Sequence, residues 1–228
     1  MYLSMEQSVR DRLAGMGVRP TKEMGQNFLI DAAVVDEIIR FGMPQAGENL
    51  VEIGPGLGAL TQELSKFQHL TLVEIEEKFC ADLIKRYPTV TVINADVRLL
   101  DLSQLGGELV VFGNLPYSFS SDILFLLLDA AAYIKRAVLM LQKEFVKRLC
   151  AQPGSRDYGA LSIACQLWAG LRPGPVIAGD SFYPVAEVDS QLVELTFLKE
   201  PRCRVEDPFL FKRLVAASFF RRRKKIIN

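Results

Sequence analysis

The chain has 228 residues, half of them apolar and about a quarter charged, enough for one α/β domain of ordinary size and a small appendage. Its 27 Lys and Arg offset 27 Asp and Glu, so net charge does not announce a nucleic-acid partner. No apolar run approaches the ~20 residues of a membrane-spanning helix, and residues 1–18 lack the apolar stretch of a signal peptide, so a cytoplasmic, membrane-free protein is expected.

Four cysteines (Cys80, Cys150, Cys165, Cys203) lie far apart, with no Cys-x-x-Cys pair. That spacing argues against zinc and suits a reducing compartment. His69 is the only histidine, so chemistry built on a histidine triad or a multi-histidine metal centre has little to draw on. No metal site is expected.

Gly25 to Asp31 reads as a loop before a helix, with Asp31 as its cap. Asn49 to Ile53 is a short apolar run entering Gly54-Pro-Gly-Leu-Gly58, a strand meeting a turn. Ala59 to Phe67 has helical apolar spacing. His69 is expected in the turn before a second strand, Leu70 to Ile75, and Glu77 to Arg86 is a helix. Val90 to Ile93 is a third strand, ending at Asn94-Ala-Asp96. Leu109 to Phe112 is a fourth, ending at Gly113-Asn-Leu-Pro-Tyr117. A helix from about Ser121 to Ala132, a strand from Ala137 to Leu141 and a helix from Lys143 to Leu149 follow. Pro153-Gly154 breaks the pattern. Ala160 to Trp168 is then helical and Gln191 to Phe197 alternates like a late strand. Phe209 to Lys225 reads as an amphipathic helix with Phe211, Leu214, Val215 and Phe219 on one side. The alternation predicts an α/β, doubly wound, mostly parallel sheet whose ligand site lies at the carboxyl ends of the strands.

Glu52-Ile-Gly-Pro-Gly-Leu-Gly58 stands at such an end. Glycines there allow a ligand to approach the backbone closely. A dinucleotide site calls for Gly-x-Gly-x-x-Gly facing a pyrophosphate. Here the spacing is Gly-x-Gly-x-Gly after an acidic residue. A carboxylate there repels a pyrophosphate but tolerates a sulfonium cation and a free amine. Glu74, ending the second strand, suits both ribose hydroxyls, and Asp96, beyond the third, suits an adenine amine. Gly54, Gly56, Glu74 with Ile75, Asp96 with Val97, and Asn114 therefore make a candidate site for S-adenosyl-L-methionine. The plainer alternative is a glycine turn that only packs strand on helix.

Asn114-Leu-Pro-Tyr117 closes the fourth strand, beside the expected position of the donor methyl. An exocyclic adenine amine is a poor nucleophile because its lone pair is delocalised into the ring. The side-chain carbonyl of Asn114 and the backbone carbonyl of Leu115 can accept its N–H groups and favour a localised lone pair. Pro116 stiffens the turn, and Tyr117 offers a ring for stacking. Such a target base must be flipped or unpaired. Phe182 is a candidate for covering the base's second face, with core packing its alternative. The run Arg221, Arg222, Arg223, Lys224 and Lys225 is a candidate RNA contact, or a solvated basic tail.

These residues resemble the KsgA-type family of ribosomal RNA adenine dimethyltransferases. The matching segments are Gly25-Gln-Asn-Phe-Leu-Ile-Asp31, Val51-Glu-Ile-Gly-Pro-Gly-Leu-Gly58, Val73-Glu74, Gly113-Asn-Leu-Pro-Tyr117, Leu141-Gln-Lys-Glu144, Tyr158-Gly-Ala-Leu-Ser162, Val188-Asp-Ser190 and Arg222-Arg-Lys224, in the family's order over nearly the whole chain. The resemblance implies a seven-stranded, Rossmann-like methyltransferase sheet and adds Gln26, Asn27 and Leu29 to the cofactor contacts. It implies two adjacent adenosines near the 3′ end of small-subunit ribosomal RNA as the target, in a partly assembled subunit, for an enzyme expected to be monomeric. Two departures stand out. The family's proline-rich loop is here Phe182-Tyr-Pro-Val-Ala-Glu-Val-Asp-Ser190. The family also continues into a small helical domain, whereas this sequence ends at Asn228. A catalytic domain over 1–199 and the start of a helical RNA-binding segment over 200–228 are expected, with most of that small domain absent.

The competing readings are a large-subunit adenine methyltransferase of the macrolide-resistance type, which typically carries Asn-Ile-Pro-Tyr, a non-catalytic ribosome-assembly factor on the same fold, and a dinucleotide oxidoreductase. Leu115 and Pro55 favour the small-subunit type. Glu74, Asp96 and Asn114 argue against an idle pocket, and the glycine spacing argues against a dinucleotide.

Overall fold

A computed structural model describes residues 4–20 and 27–220. The first element is α1 (Met5–Met16), capped by Ser4, whose hydroxyl accepts the Gln7 N–H, and closed by Gly17 in the left-handed region. Then come β1 (Phe28–Leu29) and α2 (Ala32–Gly42), where Asp31 caps the helix by accepting the Ala33 N–H at 2.9 Å. The alternating portion is β2 (Asn49–Ile53), α3 (Thr61–Leu64), β3 (His69–Glu74), α4 (Glu77–Arg86), β4 (Thr91–Asn94), β5 (Leu109–Asn114), α5 (Ser120–Asp129), β6 (Ile134–Gln142) and α6 (Lys143–Leu149). The chain continues through α7 (Ala160–Trp168), β7 (Ala169–Ile177), β8 (Phe182–Tyr183), β9 (Ser190–Phe197) and α8 (Pro208–Phe220).

Seven strands form one sheet in the order β4-β3-β2-β5-β6-β9-β7. The first five of these run parallel, and β9 is antiparallel to both β6 and β7. The expected doubly wound, mostly parallel, seven-stranded architecture is the one observed. Parallel strands covered on both faces need apolar side chains on both. Accordingly Leu109, Val110, Val111 and Phe112 of β5 are all 0 % exposed. Val51 and Val111, paired in register, join Leu124, Leu127 and Val146 on one face. Leu50, Val110 and Phe112 join Ile38, Leu64 and Leu83 on the other. Each such side chain contributes about 1.5–3 kcal/mol by leaving water. The winding reverses between β2 and β5, which makes their carboxyl ends the switch point where a crevice opens.

Several elements differ from the sequence expectation. Only Thr61–Leu64 is α-helical within the stretch 59–67, because three-residue backbone bonds such as Phe67 N–H to the Leu64 carbonyl close its end as tight turns. No element is expected over residues 169–177, yet β7 forms there, through Pro173, Gly174 and Pro175. It is the edge strand, so prolines cost no inner ladder bonds, and its register with β9 shifts between Pro173 and Val176. His69 begins β3, opposite Asn49, instead of lying in a turn, and its side chain is exposed. On α8, Phe211, Val215 and Phe219 are half-buried, but Leu214 is 57 % exposed, beside exposed Phe209 and Leu210. The inward stripe is therefore narrower than the spacing suggested. Among the described residues no helix is long and apolar enough to cross a membrane.

Candidate active site

A cavity of about 500 Å³ opens over the carboxyl ends of β2, β3 and β5 and the turn after β4. The glycine turn after β2 forms one wall. Gly54, with φ of 65°, donates its N–H to the Val73 carbonyl, and a Cβ added to it would meet no atom within 4 Å. The space it leaves faces the cavity, as a ligand lying against the backbone requires. Gly56, φ 54°, turns its N–H onto Glu74, and a Cβ there would crowd the Phe28 ring at 3.3 Å.

Glu74 is 5 % exposed at the end of β3. Its Oε2 accepts the Gly56 N–H and its Oε1 the Glu76 N–H, both at 2.9 Å. Burial pushes its pKa above the ordinary value, and those backbone N–H groups oppose the shift. The carboxylate is thus held in one orientation, with lone pairs left on both oxygens for further donors. Ile75, half exposed, and Val97, buried, line the same cavity. Asp96 caps the short turn after β4, and the Arg98 guanidinium reaches both of its oxygens, at 2.6 to 3.1 Å. That hydrogen bonding holds the Asp96 pKa below its usual value. Arg98 in turn lies 4.2 Å over the Phe119 ring.

Glu52 departs from the expectation. It is 2 % exposed and accepts the Thr61 hydroxyl at 2.6 Å. Burial pushes its pKa up to about 8, with the Glu74 carboxylate adding to the rise, so it is mostly protonated at neutral pH. The repulsion of a pyrophosphate expected from this residue is therefore not available. Glu52 and Glu74 both line the cavity beside the glycine turn, but only Glu74 has its oxygens oriented by backbone N–H groups of that turn and of the next helix.

At the end of β5, the Asn114 Nδ2 donates to the Asn27 carbonyl at 3.2 Å, which leaves Oδ1 as the acceptor of that amide. Leu115 is buried, its N–H bonded to the Met140 carbonyl at 3.3 Å. The Pro116 carbonyl accepts the Phe119 N–H and the Ser120 hydroxyl, so the turn after the strand is closed by its own bonds. Tyr117 lines the cavity, and its hydroxyl shares a 2.8 Å hydrogen bond with Ser190 Oγ. Burial raises the Tyr117 pKa, and the Ser190 bond opposes it.

The structure brings Asn27, Leu29, Gly54, Gly56, Glu74, Ile75, Asp96, Val97, Asn114, Leu115, Pro116 and Tyr117 to one cavity. Phe182 is not among the residues lining it. It pairs with Leu29 across the β8–β1 ribbon and is 1 % exposed in the cluster containing Ile38 and Met140. Of the two readings open for Phe182, core packing is the one its position matches, because both its strand partner and its neighbours are apolar. Gln26 and Arg221 to Lys225 lie outside the described residues.

Two features escaped the sequence. Met5, Ser8, Val9 and Arg12 of α1 also line the cavity. Arg12 donates to the Leu57 carbonyl at 2.8 Å and pairs with Asp82, Arg10 lies 4.1 Å over the Tyr183 ring, and the Lys78 ammonium bonds the Met16 carbonyl. The signal was present in Ser4-Met-Glu-Gln7 and in Val9 and Leu13 at helical spacing, but two buried residues make a weak stripe. The other is the pairing of Ser190, at the start of β9, with the Tyr117 hydroxyl, which joins residues 73 positions apart. Among the described residues no cluster of His, Cys, Asp and Glu is arranged to hold a metal ion.

A sheet of this order, with β9 alone antiparallel between β6 and β7 and a cavity over the switch point, is the Rossmann-like fold of S-adenosylmethionine-dependent methyltransferases. A dimethyladenosine transferase from Plasmodium falciparum shares it with a TM-score of 0.75 and 28 % identity, over 87 % of this chain and 73 % of that one. The 23S rRNA methyltransferase ErmE shares it at 0.71 and 25 % identity, over 85 % and 79 %. In sequence, the small subunit methyltransferase A of Leptothrix cholodnii is 44 % identical over 214 residues, 92 % of this chain and 78 % of the relative. Its counterpart in Magnetococcus marinus is 40 % identical over 220 residues, 93 % and 79 %. The family described as ribosomal RNA adenine dimethylase matches residues 18–228, and the chain belongs to that family.

Proposed function

We propose that this protein transfers methyl groups from S-adenosylmethionine to the N6 amines of two adjacent adenosines near the 3′ end of small-subunit ribosomal RNA, giving N6,N6-dimethyladenosine. The observation that carries the reading is the Asn114 amide, whose nitrogen is occupied by the Asn27 carbonyl and whose oxygen remains an acceptor beside Tyr117. Relatives named for the small subunit, 40–44 % identical, favour that target over the large-subunit one of ErmE, 25 % identical.

The residues fit the cofactor. Gly54 leaves space for a ligand against the backbone, Glu74 is oriented to receive ribose hydroxyls, and Asp96 stays ionised to accept an adenine N–H. Asn27, Leu29, Gly56, Ile75, Val97 and, in sequence, Gln26 complete the set assigned to hold it. When bound, it supplies an electrophilic methyl group. Asn114 Oδ1 and the Leu115 carbonyl accept the N–H bonds of the target amine and localise its lone pair. Pro116 keeps that carbonyl in place, and Tyr117 stacks on the base. No side chain is assigned to take the N6 proton, which leaves to water once the nitrogen is methylated. The rate gain is chiefly one of positioning.

Residues 1–199 are assigned as the catalytic domain and 200–228 as the start of a helical RNA-binding segment, with Arg221 to Lys225 on phosphates. The protein acts in the cytoplasm, as a monomer, on a partly assembled small subunit. The test is methyl transfer from labelled S-adenosylmethionine to unmethylated small subunits, with nucleoside mass spectrometry. Dimethyladenosine in the small-subunit RNA supports the reading. Cofactor binding without any product would favour an assembly factor, and product only on large-subunit RNA would overturn the choice of target.

A further inference from the structure

Ser190 is the first residue of β9, 0 % exposed, with its backbone paired to Gln142 of β6 and Ile177 of β7. The preceding residue is anchored as well, since the Asp189 carbonyl accepts the Lys143 N–H and its carboxylate meets the Lys143 ammonium at 3.3 Å. Ser190 is therefore fixed on three sides by the seam of the sheet. A buried hydroxyl needs a partner, and Ser190 Oγ has Tyr117 Oη at 2.8 Å. Tyr117 stands at the cavity end of this bond. It follows the strand-ending Asn114, it lines the cavity, and it is only half-buried, so the bond to Ser190 adds a restraint on χ1 and χ2 to that of partial packing.

We infer that Ser190 is a positioning residue for the methyl-transfer reaction, tying the Tyr117 hydroxyl to the sheet so that the ring presents one fixed face to the target base. The inference rests on the base-stacking role proposed for Tyr117. A ring held before the base arrives loses no rotamer freedom on binding. The reacting nitrogen is then set beside Asn114 and Leu115, where small displacements are costly to rate. Ser190 touches neither substrate nor cofactor in this scheme. It acts through Tyr117, so its removal shows in turnover on RNA and not in cofactor affinity.

A double-mutant cycle tests this on the full chain with unmethylated small subunits. Tyr117→Phe keeps the ring and deletes the hydroxyl, Ser190→Ala deletes the partner, and the double variant deletes both. Each single change is expected to lower kcat/KM about 3- to 10-fold, the scale of one hydrogen bond. The double variant is expected to lose no more than the worse single one, because both remove the same bond. Affinity for S-adenosylhomocysteine should stay within about twofold in all three. Multiplying losses, wild-type kinetics in Tyr117→Phe, or an equal fall in cofactor affinity would overturn the inference. Should Ser190→Ala fold poorly, Tyr117→Phe breaks the same bond from the cavity side without disturbing the buried seam. Tyr117→Ala separates the role of the ring from that of its hydroxyl. Near-normal turnover there overturns the stacking role itself and this inference with it, whereas a loss of about 100-fold or more beside a harmless Tyr117→Phe overturns the inference alone.

Discussion

Replacing Glu52 with Gln should make the protein more stable, by an amount that grows with pH. Glu52 is 2 % exposed, and its folded-state pKa of about 8 compares with an ordinary value of 4.5. Between those values the folded state holds a proton that the unfolded state has released, so stability falls as pH rises. The slope is about 1.4 kcal/mol per pH unit, and over the whole interval the penalty approaches about 5 kcal/mol as an upper bound. Gln resembles the protonated carboxyl in shape, and its oxygen can still accept the Thr61 hydroxyl that Glu52 receives at 2.6 Å. The two proteins should therefore have similar stability near pH 4.5 and diverge steadily up to pH 8, with a constant gap above it. Urea unfolding of both, without cofactor, at one-unit steps from about pH 5 to about pH 9 measures the difference directly. Parallel stabilities across that range would refute the buried neutral carboxyl. So would a Gln variant whose advantage shrinks as pH rises, since that is the behaviour of a carboxylate stabilised in its charged form.

Asn114→Ala should leave S-adenosylhomocysteine affinity nearly intact while turnover on small subunits falls about 100-fold or more, the scale seen when one positioned polar group is removed from a transition state. Equal loss of both by calorimetry and by labelled methyl transfer would sink its catalytic assignment. Arg12→Ala removes the bond from α1 to the Leu57 carbonyl and the pairing with Asp82. With α1 loosened from the cavity wall, cofactor affinity should drop about 3- to 10-fold; an unchanged affinity would reduce α1 to surface packing. Replacing Arg221 to Lys225 with Gln should weaken RNA binding and flatten its salt dependence by about 0.7–0.9 in slope for each phosphate no longer neutralised. An unaltered slope would leave the basic run a solvated tail.

Strand by strand, the sequence carried the sheet because each parallel strand must be apolar on both faces, and Leu109 to Phe112 is legible for that reason. It also carried the position of the cavity. Gly54, Glu74, Asp96 and Asn114 are local punctuation at strand ends, and the βαβ topology obliges successive strand ends to face the same way. What a side chain meets across the fold is another matter. Glu52 and Glu74 are both acidic residues at strand ends beside the cavity, yet one is closed onto the Thr61 hydroxyl and kept neutral by burial while the other is oriented by the Gly56 and Glu76 N–H groups, a difference of surroundings that spacing does not encode. Phe182 and Tyr117 are both aromatic, and only packing sends the first into the core and the second to the cavity wall. The strand through Pro173 and Pro175 exists because it lies at the sheet edge, and α1 forms a wall of the site because Arg12 and Lys78 bond backbone carbonyls far away in sequence. Local residue pattern determined the elements and their order; burial and long-range pairing decided which groups are charged, which rings are free and what covers the cavity.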